Sequence, residues 1–347
     1  MKADDEGTAR RSGAPARTRF PGISSRAYEH PADRAALVAL RKLRGLDTFV
    51  RKFRGAFLER ALRMEALGEA VRTSDRQFRT VHRTMREASR VLDLDRTPEL
   101  FVRLDRDVNA ATVGVDRPFV VLSSGMLELM DAEELRFVIG HELGHAMSGH
   151  LVYGTIARFL AEAGRVLASV PMGGLGLQAV RLALGEWMRM SELSCDRAGL
   201  LVVQDREPCL RALMKLAGGA HLGEMDAGEF LRQAAEYRRG EDLRDSVVKF
   251  LIEQPRSHPL AVARVAELDH WASGDGYRSV LAGDYALRRD DAGASVRGEL
   301  RTTGASCAER VRRSTDPLLV MLRDLAVSAD RAGDHVLNAV RRGPGAT

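Results

Sequence analysis

The stretch Val138-Ile139-Gly140-His141-Glu142-Leu143-Gly144-His145 sets His-Glu-x-x-His inside an apolar, helix-compatible run. On a helix, residues four apart lie about 40° apart around the axis, so His141 and His145 share a face. Two imidazoles on one face begin a zinc site, and Glu142 beside them is placed to take a proton from water activated by the metal. Catalytic zinc usually keeps three protein ligands, so the chemistry depends on a third donor elsewhere in the chain.

Three segments can supply it. A continuation HExxHxxGxxH needs Gly at 148 and His at 151, but Ser148 and Leu151 stand there. His150 is nine residues from His141, about 900° of helical turn, and so falls on the opposite face. A second source is Ser191-Glu192-Leu193-Ser194-Cys195-Asp196. Its Glu192 and Asp196 share a face, which suits one carboxylate on the metal and another orienting a zinc histidine through its free N–H. The same spacing also occurs as an ordinary pair on an amphipathic helix. The third segment is Arg256-Ser257-His258-Pro259. Pro259 suits a first helical position, and His258 can also be read as an oxyanion donor or a reversible fourth ligand.

Positioning these residues requires a largely helical chain with a small sheet, an α+β arrangement. Asp131-Ala132-Glu133-Glu134 resembles a helix cap with acidic first-turn residues, opening a helix through the HExxH. Residues 177–204 read as the helix carrying Glu192 and Asp196. Further helices are expected over 46–67, 77–91, 207–216, 227–237, 243–252 and 260–271. Short apolar runs at 100–104 and 118–122 read as strands, with 109–114 as an edge strand between them. The domain division that follows is a disordered tail over 1–30, a helical region over 31–91, the zinc domain over 92–272, a flexible linker over 273–316, an amphipathic helix over 317–341 and a tail over 342–347.

Composition narrows the function classes. The 347 residues can bury a sizeable core, and the 45% hydrophobic and 29% charged fractions are those of a soluble globular protein. Of 53 basic residues only five are Lys, and the Arg excess forms no clustered face, which argues against nucleic acid as partner. Cys195, Cys209 and Cys307 are too few and too scattered for a disulfide framework and suit a reducing cytoplasm. The N-terminal residues mix acidic and basic side chains without the apolar core of a signal peptide. The uncharged run 166–180 falls short of the roughly 20 apolar residues that span a bilayer. A buried hairpin is one reading of it; peripheral membrane contact, there or through 317–341, is the other.

The motifs in order carry a resemblance. HELGH, then Ser191-Glu192-Leu193-Ser194-Cys195-Asp196-Arg197, then Ser257-His258-Pro259 with Arg264 beyond, resemble the M48 family of gluzincin metallopeptidases, which includes the Ste24 and HtpX proteases. Asn109-Ala110 with Gly114, and residues 120–125 with Leu127, extend the similarity to about half the chain, roughly 92–268. The resemblance implies a zincin-like peptidase domain with one zinc per chain. It implies His141, His145 and Glu192 as ligands, Glu142 as catalytic base and Asp196 as the residue behind a ligand. It brings His258 and Arg264 into the active site, where either could serve the oxyanion. An extended peptide or unfolded protein would pair with the edge strand at Asn109, Ala110 and Gly114. The chain departs from membrane-embedded members of that family, because residues 156–186 are interrupted by Arg and Glu. The competing reading, from another class, is a binding or chaperone-like module with a latched or silent zinc site.

Overall fold

The computed structural model describes residues 17–31, 33–34, 56–114, 116–149, 151, 174–239 and 260–291. Within them lie helix α1 (Ala56–Glu69), strand β1 (Ala70–Arg72), α2 (Arg79–Val91), β2 (Glu99–Arg103), β3 (Ala110–Val113) and β4 (Phe119–Ser123). Then follow α3 (Ser124–Leu129), α4 (Ala132–Met147), α5 (Gly174–Val203), α6 (Arg206–Gly218), α7 (Ala227–Arg239), α8 (Ala261–Ser273) and α9 (Asp275–Leu281). The fold is α+β and predominantly helical.

The four strands form one sheet in the order β1-β2-β4-β3. β2 and β4 run parallel, and β1 and β3 add antiparallel on the two sides. Among the described residues β3 is therefore an edge. Its register sets Thr112 opposite Val120 and Ala110 opposite Leu122. Ser123 fixes one end: Asn109 N donates to Ser123 Oγ at 2.9 Å, and Ser123 N donates to Asn109 O at 2.9 Å. Gly114 fixes the other, at φ +99°, where a Cβ would stand 3.1 Å from Arg117 O.

α4 is the central helix. Asp131 caps it, accepting from Glu133 N and Glu134 N at 2.9 Å, while Asp131 N donates to Glu134 Oε2 at 2.8 Å, which completes a capping box. The Glu134 carboxylate is fully buried, and Lys215 at 2.6 Å and Arg211 at 3.1 Å, both on α6, pair with it. Residues Glu134 to Gly144 are buried without a break, so α4 is packed on every side.

Several expectations change. Residues 17–31 do not belong to a disordered tail. Phe20, Ile23 and Tyr28 have no exposed surface, and Ile23 bridges Leu287. Ser24 N donates to Ala286 O at 2.9 Å, and Arg288 N donates to Gly22 O at 2.8 Å. This clasp joins the described N-terminal segment to residues 285–291, which the sequence division assigns to a linker. The linker reading also fails at α9, whose Tyr277 and Val280 are buried. The 46–67 helix is described from Ala56 onward, and a short strand, β1, follows it directly. Ser123-Ser124-Gly125, whose residue types suit a turn after the strand, instead open a helix, α3, because Ser123 Oγ caps it by accepting from Met126 N at 3.0 Å. Residues 32 and 35–55 of the 31–91 region, the helix over 243–252 and the amphipathic helix over 317–341 lie outside the described residues.

Candidate metal centre

The site lies where α4 crosses α5. Three glycines let the two backbones approach. A Cβ on Gly144 would lie 2.9 Å from Ala198 Cβ and 3.1 Å from Cys195 Cα, and one on Gly140 would lie 2.8 Å from Val202 Cβ. Across the interface, a Cβ on Gly199 would lie 2.6 Å from the Phe137 ring. Side chains at these positions would hold the helices apart and carry Glu192 away from the histidines.

At this separation His141 Nε2 lies 3.3 Å from Glu192 Oε2, and His145 Nε2 lies 3.1 Å from Glu192 Oε1. Donors held 2.0–2.2 Å from a tetrahedral zinc sit roughly 3.4 Å from one another. Two imidazole nitrogens and a carboxylate at these separations therefore fit the metal. Cys195 adds a sulfur that sequence reasoning passed over, since one atom from each of His141, His145 and Cys195 falls within 4.8 Å of the others. The carboxylate, 3.3 and 3.1 Å from the two imidazole nitrogens, matches the donor spacing of a tetrahedral zinc. Without metal, burial and the neighbouring carboxylates, Glu192 first, push the Cys195 thiol well above its usual range.

Behind the histidines lies a buried polar chain. His141 Nδ1 is 2.9 Å from Asp196 Oδ1. Arg264, on α8, forks onto the same carboxylate, with Nε donating to Oδ2 at 2.8 Å and Nη2 to Oδ1 at 2.6 Å. The ionised Asp196 carboxylate only accepts, so its 2.9 Å contact is donated by Nδ1, and Arg264 Nη2, 3.3 Å from Nδ1, is a second donor converging on Oδ1. Nδ1 thus carries a proton, and Nε2 is the nitrogen left to face Glu192. Burial alone would push His141 down; the Glu192 and Asp196 carboxylates outweigh it and raise the imidazole to about 9. Burial would raise Asp196, but the Arg264 guanidinium holds it below its ordinary value.

Glu142 is buried beneath β3. Thr112 Oγ1 donates toward Glu142 Oε2 at 2.6 Å and lies 2.9 Å from Glu142 O. Nothing in the sequence reading singled out Thr112. Its signal was a polar residue in the edge strand expected beside the metal helix. Asn109 is exposed and holds the strand through its main chain, Ala110 is half-buried on the strand, and Gly114 is buried in the turn after it. The structure brings together His141, His145, Glu142, Glu192, Asp196 and Arg264. His258 and His150 lie outside the described residues.

The profile of Peptidase family M48 matches residues 75–272. The chain belongs to this family. A similar protein is the Plastoglobule-localized metallopeptidase 48, chloroplastic, of Arabidopsis thaliana, 32% identical over 270 residues that cover 76% of this chain and 77% of that protein. A Protease HtpX homolog of Fusobacterium nucleatum is 28% identical over 118 residues, covering 33% of this chain and 38% of the relative. A Streptococcus pyogenes HtpX homolog is 27% identical over 179 residues, covering 49% and 57%. The chain thus spans less than two thirds of these bacterial M48 relatives. No solved structure matches it. Among the described residues no helix is long and apolar enough to cross a membrane.

Proposed function

We propose that this M48 member is a zinc-dependent endopeptidase with His141, His145 and Glu192 as metal ligands and Glu142 as general base. The observation that carries this reading is the convergence of both Nε2 atoms on one buried carboxylate, with Glu142 in the same helical turn. When bound, zinc supplies a Lewis acid for the scissile carbonyl and makes water acidic enough to lose a proton near neutral pH. Glu142 accepts the proton from the attacking water and returns it to the leaving amine. Asp196 holds the His141 ring through Nδ1, fixing its tautomer and aiming Nε2 at the metal.

Arg264 takes a different role from the oxyanion donor of the sequence reading. Its Nε and Nη2 fork onto Asp196, and its Nη1 lies 3.8 Å from Glu192 Oε2. This favours a clamp that keeps Asp196 charged and in place. His258 remains the candidate donor to the oxyanion. The outer edge of β3, which no other described strand pairs, suits an extended peptide held by main-chain hydrogen bonds. Such pairing needs unfolded chain, which supports unfolded or damaged protein as substrate and a part in protein quality control. The location proposed is cytoplasmic with peripheral membrane attachment. The plastoglobule named for the Arabidopsis relative is compatible with attachment at a surface. Flotation with liposomes tests that part, and no binding to anionic vesicles at low salt would remove it.

The test of the reaction is a casein digest with wild type, chelated wild type and Glu142→Gln. Chelation should abolish cleavage and zinc should restore it. Glu142→Gln should keep its zinc and lose activity by about 10²–10⁴-fold. Turnover near wild type in that variant would rule out Glu142 as the base.

A further inference from the structure

We infer that Thr112 is the positioning residue for the general base, its hydroxyl holding the Glu142 carboxyl group in one place both before and after it takes a proton. The inference rests on Glu142 being the base. Thr112 is 5% exposed and sits on the edge strand, where Asn109 and Ser123 anchor one end and the Gly114 turn the other. Its Oγ1 meets two acceptors of the same residue, Oε2 at 2.6 Å and the main-chain oxygen at 2.9 Å.

A threonine hydroxyl has one hydrogen to donate and lone pairs to accept with. While Glu142 is ionised, the hydrogen goes to Oε2, the closer and stronger acceptor. A proton taken on the other oxygen, Oε1, leaves Oε2 an acceptor, so the threonine hydrogen bond is kept. Both states are satisfied without moving a heavy atom. A base that takes and returns a proton in each cycle needs this property, since a buried carboxyl without a partner in one state would swing toward another. The strand that offers its outer edge to an extended peptide thereby also fixes the carboxyl group that takes the proton from the attacking water, which ties substrate and base to one rigid element.

The alternative is that the hydroxyl merely ties β3 to α4 through the carbonyl. Thr112→Val keeps the shape and removes the hydroxyl; Thr112→Ser keeps the hydroxyl. Each is compared with wild type and Glu142→Gln for kcat, KM, zinc content by elemental analysis and calorimetric affinity for acetohydroxamate. That chelator has an acidic proton for Glu142 to accept. The expected result for Thr112→Val is a kcat lower by about ten- to a hundredfold with KM within about twofold. Zinc should stay at one per chain and acetohydroxamate should bind about tenfold more weakly, with Thr112→Ser recovering most of both losses. A Thr112→Val variant with zinc bound and kcat within about twofold of wild type would overturn the inference, as would a serine variant no better than valine. Should Thr112→Val lose zinc, Thr112→Ala repeats the comparison with no added methyl. Zinc loss from both would overturn it too, since the hydroxyl would then be holding the strand. If Glu142→Gln is active, the base assignment itself fails; if it is inactive while Thr112→Val behaves as wild type, only the Thr112 inference fails.

Discussion

The crossing of α4 with α5 and the clasp of residues 17–31 with 285–291 both hold the same helix, and they do so by opposite means. At the crossing, the chain buries charge: Glu192, Asp196, Arg264 and His141 are all removed from water, Asp196 is hydrogen-bonded by His141 and Arg264, and Glu192 lies against both metal-helix histidines. At the clasp, Phe20, Ile23 and Tyr28 fill the core, and two main-chain bonds join distant segments. The clasp also touches the back of α5. His30 N donates to Ser194 Oγ at 2.9 Å, Ser194 Oγ donates to Asp33 Oδ2 at 2.6 Å, and Arg197 Nη1 donates to Glu29 O at 3.2 Å. A buried polar cluster demands exact placement, since one missing partner leaves an uncompensated charge. Apolar burial supplies stability with looser geometric demands. The metal centre thus reads as a precise but costly region, braced from behind by a tolerant one.

Separating these contributions experimentally should break or sharpen the comparison. The largest stability effect is expected at the clasp. Phe20→Ala removes a fully buried ring and should cost about 3–5 kcal/mol in denaturant unfolding, while the folded protein at low temperature keeps one zinc and near-normal kcat. A folded Phe20→Ala protein that had lost its zinc would show that clasp and metal centre are not separable. Gly144→Ala should cost about 1–3 kcal/mol by overpacking the helix crossing, and it should weaken zinc binding as well. A methyl at Gly68, in α1, meets nothing within 4 Å. Gly68→Ala should therefore gain up to about 1 kcal/mol and leave zinc untouched. If both alanines behaved alike, close approach would not be what sets the site.

The most specific effect is on pH. In the metal-free protein the folded-state value of His141 is raised from 6.5 to about 9. A raised value contributes stability that is fully present below about 6.5 and is lost as pH rises through about 9. Zinc binding must displace the Nε2 proton, so zinc affinity should rise across the same window, by up to about tenfold per unit for that proton. Thermal melts of chelated protein and competition titrations at matched pH values check both slopes. A metal-free stability that rose with pH over this window, with no other group titrating, would contradict the placement of His141 between two carboxylates.

The metal centre was legible because its chemistry restricts residue type and spacing together. His141, Glu142 and His145 on one turn, Glu192 and Asp196 on another, and the Asp131 cap were each readable from a short window. Membership of the M48 family agrees with that reading. The clasp was not legible: Phe20, Ile23 and Tyr28 lie in a Gly- and Ser-rich stretch with no periodicity, and Phe20 and Ile23 meet Tyr285 and Leu287 far along the chain. β1 has three residues and little burial, so it left no alternating pattern. Gly140 and Gly144 did leave a signal, two small residues four apart on the metal helix, but it was masked by the histidines beside them. Thr112 looked like any β-branched strand residue until the helix it faces was known.

The central claim is that Glu192, and not the nearby Cys195, completes the metal site. Zinc per chain, measured by elemental analysis on purified wild type, Glu192→Ala and Cys195→Ala, decides it. The expected result is one zinc in wild type, one in Cys195→Ala and a sharp loss in Glu192→Ala. Full zinc in Glu192→Ala, with zinc lost from Cys195→Ala, would contradict it.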